Sequence, residues 1–398
     1  MTRPQRMALV GALYLVSNIG YSFLFMTLGT ILLGRGVPLG TVAAINLLGM
    51  VYFGRFLMAP VVDRTGHYRR WLIGTQLALV ATLVTIAWLD PADDLAALLG
   101  LLVVVLVLSL FHDAAMNGLV VRILPESDHG SANGMQVASA AASILIGSSG
   151  ALLLYSNAGW TVTLLALAAV YAVPLLVLRT VTEPAATGTV AEAPWRTLAG
   201  YFASTRRTLW ALVIIPLFGA GAWLGTAGQP AMLLGAGWPM DRIAVVQSVG
   251  TTAQLLTALV AGAVLSRVGS SRFAAVAGAS CAVATAGLLP LAAGDGSFWP
   301  TAAAMVTMSA AYGAQLTWIA TVSMGQARRS AAATDYTVPM SIEAVYVTVI
   351  NSAGLWFAAT AGFTWLLVVA LGIAAAGAVV APLWTGWARR RATVGLAR

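Results

Sequence analysis

The sequence predicts an all-α membrane protein of twelve transmembrane helices in two pseudo-symmetric six-helix bundles. Three observations carry this expectation. First, 60% of the 398 residues are hydrophobic and 9% are charged, against roughly 25% charged in soluble domains. Second, the apolar residues come in runs. No charge occurs from Met7 to Gly34 or from Gly130 to Leu178, and about 20 apolar residues cross a bilayer. Third, a loop recurs. Asp63-Arg64-Thr65-Gly66 with Arg69 is echoed by Ser266-Arg267-Val268-Gly269 with Arg272, 203 positions later, as in repeats that enclose a midplane site.

Charges, Pro and Gly clusters divide the chain into spans near 8–33, 39–61, 71–89, 95–121, 131–155, 160–181, 208–234, 242–265, 273–293, 298–324, 336–360 and 363–387. The longest connection, 182–207, carries Glu183, Pro184, Glu192, Pro194 and Arg196. It separates an N-terminal bundle (1–181) from a C-terminal bundle (208–398). Gly219, Gly221, Gly225, Gly228 and Pro230 make the seventh span an irregular helix. The first apolar run is too long for a signal-peptide core, so it is expected to be retained as a span.

All 21 basic residues are Arg. The absence of Lys excludes a Walker-type phosphate loop and a Schiff-base enzyme. His67, His112 and His129 lack zinc-site spacing, and Cys281 lies alone in an apolar run. No cofactor and no metal site is therefore expected. The net charge of +8 reflects topology rather than nucleic-acid affinity. With the N-terminus inside, eighteen Arg fall on the cytoplasmic side and only Arg35 and Arg242 outside. Positive-inside bias then places both termini in the cytoplasm of a cell with the chain in its inner membrane.

Ionisable groups within spans are the sharpest functional signal, since each costs about 2.5–3.5 kcal/mol by insertion scales unless paired or hydrated. Arg55, Asp113 and Glu343 each lie roughly 12–13 Å in from a cytoplasmic helix end at 1.5 Å per residue. His112 neighbours Asp113. Two readings stand side by side: an Arg55–Asp113 pair that only staples the first half, or a charge cluster in a transport path. Tyr14, Asn18 and Tyr21 share one face of the first span, and Gln247, Thr251 and Gln254 share one face of the eighth. Such stripes line a cavity or bond neighbouring helices. Ser139, Ser143 and Gly147, with Ser309, Gly313 and Thr317, form faces for close packing.

The Asp63-to-Arg70 loop has a mechanical reading. Asp63 can accept hydrogen bonds from a helix N-terminus or from Arg122, and Gly66 permits a tight turn. Twelve spans, a central loop and a D-R-x-G-x-x-R loop after the second span resemble the major facilitator superfamily. Finer features are Ala59-Pro60-Val61-Val62-Asp63-Arg64, Arg69-Arg70-Trp71-Leu72-Ile73, His112-Asp113-Ala114-Ala115-Met116-Asn117-Gly118-Leu119, Gly130-Ser131-Ala132-Asn133-Gly134-Met135-Gln136 and Thr334-Asp335-Tyr336-Thr337. They resemble the branch that holds siderophore permeases of the rhizobactin and pyochelin type and anhydromuropeptide permeases. That branch commonly has a second acid four residues after the first in the fourth span. Here the position is Asn117.

The resemblance implies a monomeric secondary transporter, not an enzyme, working by alternating access on a small molecule. Proton-coupled import of a siderophore or metal–siderophore complex is the leading expectation. Efflux of drugs or siderophores, muropeptide permeation, a membrane sensor and a membrane-embedded enzyme are its rivals. Tyr14, Asn18, Tyr21, Arg55, His112, Asn117, Gln247, Thr251 and Gln254 are candidate cavity residues, and Asp113 and Glu343 candidate proton carriers. The resemblance implies a cytoplasmic latch of Asp63, Arg64, Gly66, Arg69 and Arg122. It also implies that spans two and eleven face each other, from which Arg55 is expected to exchange partners, holding Glu343 with the latch shut and Asp113 with it open.

Overall fold

A computed structural model describes residues 2–37, 41, 45, 54–179, 181, 183 and 194–395. Much of the span expected at 39–61, and most of the loop before residue 194, lies outside these residues. The described chain is helical: α1 (Arg3–Ser22), α2 (Gly29–Gly34), α3 (Arg55–Thr65), α4 (Tyr68–Ile86), α5 (Leu95–Ile123), α6 (His129–Ile144), α7 (Ala151–Leu178), α8 (Pro194–Phe202), α9 (Thr205–Leu209), α10 (Ile215–Ala227), α11 (Gln229–Gly235), α12 (Met240–Val268), α13 (Ser270–Gly287), α14 (Leu289–Ala292), α15 (Phe298–Gly325), α16 (Ala332–Ala361) and α17 (Phe363–Gly395). Among the described residues, seven helical stretches are long and apolar enough to cross a membrane. One of them, Glu126–Leu178, has 53 residues and is broken at Gly159, where φ is 80°. That break falls where a turn between the fifth and sixth spans is expected.

Contacts group the chain into two compact units. The first comprises Met1–Pro125, Ser139–Tyr201 and Gln326–Ser341, and the second Glu126–Ala138, Phe202–Gly325 and Ile342–Arg398. In the first unit α4 lies against α5 and α7, and α3 against α5. Its core is large and aliphatic, built from residues such as Ile19, Leu79, Leu102 and Leu164 with Trp160. In lipid such burial brings no hydrophobic gain, so shape and polar bonds must hold helices together. Accordingly, Ser139 and Ser143 donate to the carbonyls of Gly11 (3.1 Å) and Leu15 (2.7 Å) on α1. The small-residue face read from sequence is a packing face.

The helix that starts the chain is not uniformly α. Phe23–Leu28 and Leu145–Gly150 are π-helical stretches, and both lie in the first unit. Thr27 on the first donates to the carbonyls of Gly147 (2.9 Å) and Ser148 (3.1 Å) on the second. A third π stretch, Trp210–Ile214, precedes α10, and the helix breaks again at Gly228 before α11, so the seventh span is irregular although Gly219, Gly221 and Gly225 lie in regular α-helix.

In the second unit α15 packs on α12 and α13, and α17 on α13 and α10. Trp210 stacks on Trp384 at 4.8 Å and donates to Ser323 at 2.9 Å. Cys281 is fully buried. The tightest approach is between α12 and the start of α6. A methyl group on Gly262 would lie 2.2 Å from the Gly130 carbonyl oxygen, and one on Gly134 would lie 2.2 Å from that of Ala258. Backbone cannot yield as a side-chain tip does, so Gly262→Val should destabilise the protein by about 1–3 kcal/mol. Thermal unfolding in detergent checks this, and an unchanged midpoint would show that the helices can part freely.

Candidate functional site

Two polar constellations stand out, and both lie within the first unit. The first is built around the turn from α3 to α4. Gly66 ends α3 with φ 63° and ψ 10°, a left-handed conformation that a Cβ would strain. The chain therefore reverses within two residues and turns Asp63 inward. Asp63 is 2% exposed. Its carboxylate accepts from the backbone N–H of Ala333 (3.1 Å) and Thr334 (2.8 Å), from the Thr334 hydroxyl (2.5 Å) and from the Tyr68 hydroxyl (2.5 Å). Ala332 begins α16, so Asp63 caps the N-terminus of that helix, where unpaired N–H groups and the dipole favour an anion. Burial pushes the Asp63 carboxyl above its ordinary range, and the four donors oppose that shift.

Arg122, the other partner foreseen for Asp63, goes elsewhere. Its guanidinium donates to the Gly66 carbonyl (2.7 Å) and to Glu183 (2.9 Å), and lies over the Tyr68 ring at 4.2 Å. Glu183 also accepts from the N–H groups of Tyr68 (3.2 Å) and Arg69 (3.0 Å) and so caps α4. Arg69 donates to the carbonyls of Leu178 (2.8 Å) and Arg179 (3.2 Å) at the end of α7. Each charge thus sits on the helix end of opposite partial charge. Arg64 is exposed and, among the described residues, joins none of these contacts.

Glu183, Tyr68 and Thr334 carry this arrangement and were not foreseen. Arg328 extends it. Its guanidinium forms two 2.7 Å bonds to Asp335 and reaches the Thr197 carbonyl of α8 at 3.2 Å.

The second constellation sits on α1, α3, α5 and α16. Arg55 begins α3 and Asp113 lies within α5; Arg55 Nη1 is 3.8 Å from Asp113 Oδ2. The guanidinium donates to Ser341 Oγ (3.1 Å) and the Met340 carbonyl (2.8 Å). The Ser17 hydroxyl donates to Asp113. One turn along α5, Asn117 accepts from the Tyr14 hydroxyl (3.1 Å) and donates to Thr337 (3.2 Å). An amide can do both, which a carboxylate cannot, and this gives Asn117 a physical rationale. The sequence pointed to Arg55, Asp113, Asn117 and Tyr14 but not to Ser17, Thr337 or Ser341.

Other candidates fall differently. His112 is buried, and its Nε2 finds no hydrogen-bond partner among the described residues. Asn18 donates to its own helix at the Tyr14 carbonyl (2.8 Å), and Tyr21 is 42% exposed. Gln247, Thr251, Gln254 and Glu343 belong to the second unit. Thr251 donates to the Gln247 carbonyl of its own helix at 3.0 Å. Arg55 contacts Asp113 while Asp63 caps α16.

A helical chain with apolar outer faces, a buried ion pair and charge-capped helix ends is a polytopic membrane protein of the secondary-transporter class. The chain belongs to the Major Facilitator Superfamily, whose family model matches residues 7–345. It is 23% identical to the anhydromuropeptide permease of Escherichia coli K12 over 87% of this chain and 73% of that protein. In fold it is similar to a bacterial homologue of the iron transporter ferroportin (TM-score 0.70, 16% identity, covering 96% of this chain and 100% of that one). It is also similar to the Escherichia coli fucose:proton symporter (TM-score 0.65, 14% identity, covering 94% and 97%).

Proposed function

We propose that this transporter is a proton-coupled permease for a muropeptide-type solute, with Arg55 and Asp113 at its coupling site. The buried Arg55–Asp113 pair carries the reading. An acid in contact with an arginine can take up a proton and release the arginine, and such a local charge change biases a two-state element. Asn117, Tyr14 and Thr337 supply amide and hydroxyl groups one helical turn away, suited to a solute rich in the same groups. The substrate class rests on the relative matched over most of this chain. Siderophore import, the leading expectation from sequence, is not favoured, because the ferroportin-like structure supports the fold alone.

The proposal includes twelve spans, two six-helix halves meeting at the 182–207 loop, cytoplasmic termini, alternating access and a single-chain working unit. The Asp63 loop serves as a latch that holds the start of α16 on the cytoplasmic side. Glu343 is a second candidate proton carrier. Uptake into right-side-out and inverted membrane vesicles tests the function. Labelled anhydromuropeptide should accumulate with an inward proton gradient and collapse with a protonophore, while a labelled ferric siderophore should not. Gradient-driven siderophore uptake without muropeptide uptake would replace this reading with the siderophore one.

A further inference from the structure

The second unit has a side groove unrelated to the polar constellations. Its floor is α15, at Ala310 and Ala314, and its walls are α12, at Val260 and Val264, and α13, at Val276. It encloses 740 Å³, within the ~300–1,000 Å³ typical of ligand clefts. The α12 wall runs from Leu256 to Val268. At 1.5 Å per residue this is roughly 18 Å, close to the ~15 Å depth of one hydrocarbon leaflet. Val260 and Val276 are 60% and 67% exposed, so the groove opens outward along the helices. Arg272 stands at one end of it.

The two repeats differ along the corresponding face. In the first unit Trp71 on α4 stacks on Phe111 on α5, at 5.2 Å and 6°. Shifted by the 203-residue repeat, these positions become Ala274 and Ala314. Ala314 lines the groove, whereas Ala274 is fully buried. The arginines differ as well. Arg69 is taken up by the carbonyls of Leu178 and Arg179. Its repeat equivalent Arg272 is exposed and makes no hydrogen bond or ion pair among the described residues. The neighbouring Ser271 hydroxyl takes the Pro382 carbonyl instead, at 3.1 Å. An apolar slot one leaflet deep, ending at an uncommitted guanidinium, matches a lipid tail beneath an anionic headgroup.

We infer that this groove binds one anionic phospholipid, with an acyl chain between α12 and α13 and its phosphodiester on Arg272. This inference is independent of the transported solute. Guanidinium hydrogen bonds to phosphate are bidentate and charge-assisted, and each basic residue near an anionic leaflet contributes enough to change affinity about fivefold.

Native mass spectrometry of the full-length protein, delipidated in detergent and titrated with dioleoylphosphatidylglycerol or dioleoylphosphatidylcholine, tests it. The phosphatidylglycerol should be retained in preference, as one molecule per chain. Arg272→Gln should weaken that retention about fivefold and leave the phosphatidylcholine signal unchanged. Ala314→Phe, which restores the aromatic of the first repeat, should reduce retention of both lipids. Arg64→Gln, an equal charge loss on an exposed residue of the other unit, should retain phosphatidylglycerol as the wild type does. Equal retention of the two lipids by the wild type, or undiminished phosphatidylglycerol on Arg272→Gln, would overturn the inference. So would a dimeric mass abolished by Ala314→Phe, which would assign the groove to a second copy of the chain.

Discussion

Asp63→Asn should both stall transport and destabilise the protein. An exposed loop carboxylate would matter little to stability, and the motif read on sequence alone suggests one. The structure corrects this: Asp63 is 2% exposed and accepts four hydrogen bonds. Asparagine keeps one acceptor oxygen and turns an amide N–H₂ toward the remaining donors. Leaving two buried donors unmet costs about 1–3 kcal/mol each. Thermal unfolding should show a loss of about 3 kcal/mol, and vesicle uptake should fall at least tenfold. Normal values for both would mean that α16 does not need the anion at its N-terminus.

Arg55→Ala should be more damaging than Asp113→Asn. Removing the arginine takes the Arg55 cation away from the buried Asp113 and strips donors from Ser341 and Met340. Breaking a buried pair in this way costs about 3–5 kcal/mol. Asp113→Asn removes the charge but retains a polar side chain beside Ser17, and Arg55 keeps its two hydrogen bonds. The double variant should therefore regain stability relative to Arg55→Ala, a coupling that a double-mutant cycle measures. In transport, Asp113→Asn should lose proton-driven accumulation and keep exchange of solute at equal concentrations. Proton-driven uptake at the wild-type rate would remove Asp113 from the coupling mechanism.

The sequence showed the helical class and the charges within it, because the cost of polarity in lipid makes those signals strong. Arg55 and Asp113 are visible for that reason, and they lie 3.8 Å apart. The sequence could not show where Asp63 points. Three of its four donors come from residues 270 and 271 positions away, and only the Tyr68 hydroxyl is local. Glu183 reads as a solvated loop acid until the fold brings the start of α4 and Arg122 to it. Periodicity did not separate the two readings of the polar stripe. Tyr14, Asn18 and Tyr21 share a helical face, yet Tyr14 reaches Asn117 while Asn18 bonds its own backbone. A hydroxyl or amide on a helix can always satisfy itself locally, so a polar stripe does not by itself mark a cavity.

The facing π stretches at Phe23–Leu28 and Leu145–Gly150 have a kinematic consequence. Each wide turn holds an extra residue, so the helix beyond it is out of phase by about 100°, one residue's rotation. If either stretch tightened to α geometry, everything on its far side would turn like a screw and advance. Thr27 meshes the two, because its hydroxyl sits on the Gly147 and Ser148 carbonyls that the wide turn presents. Tightening Leu145–Gly150 would draw those carbonyls back into their own ladder and disengage that tooth. The two helices are thus geared, and neither can unwind its slack without the other registering the turn.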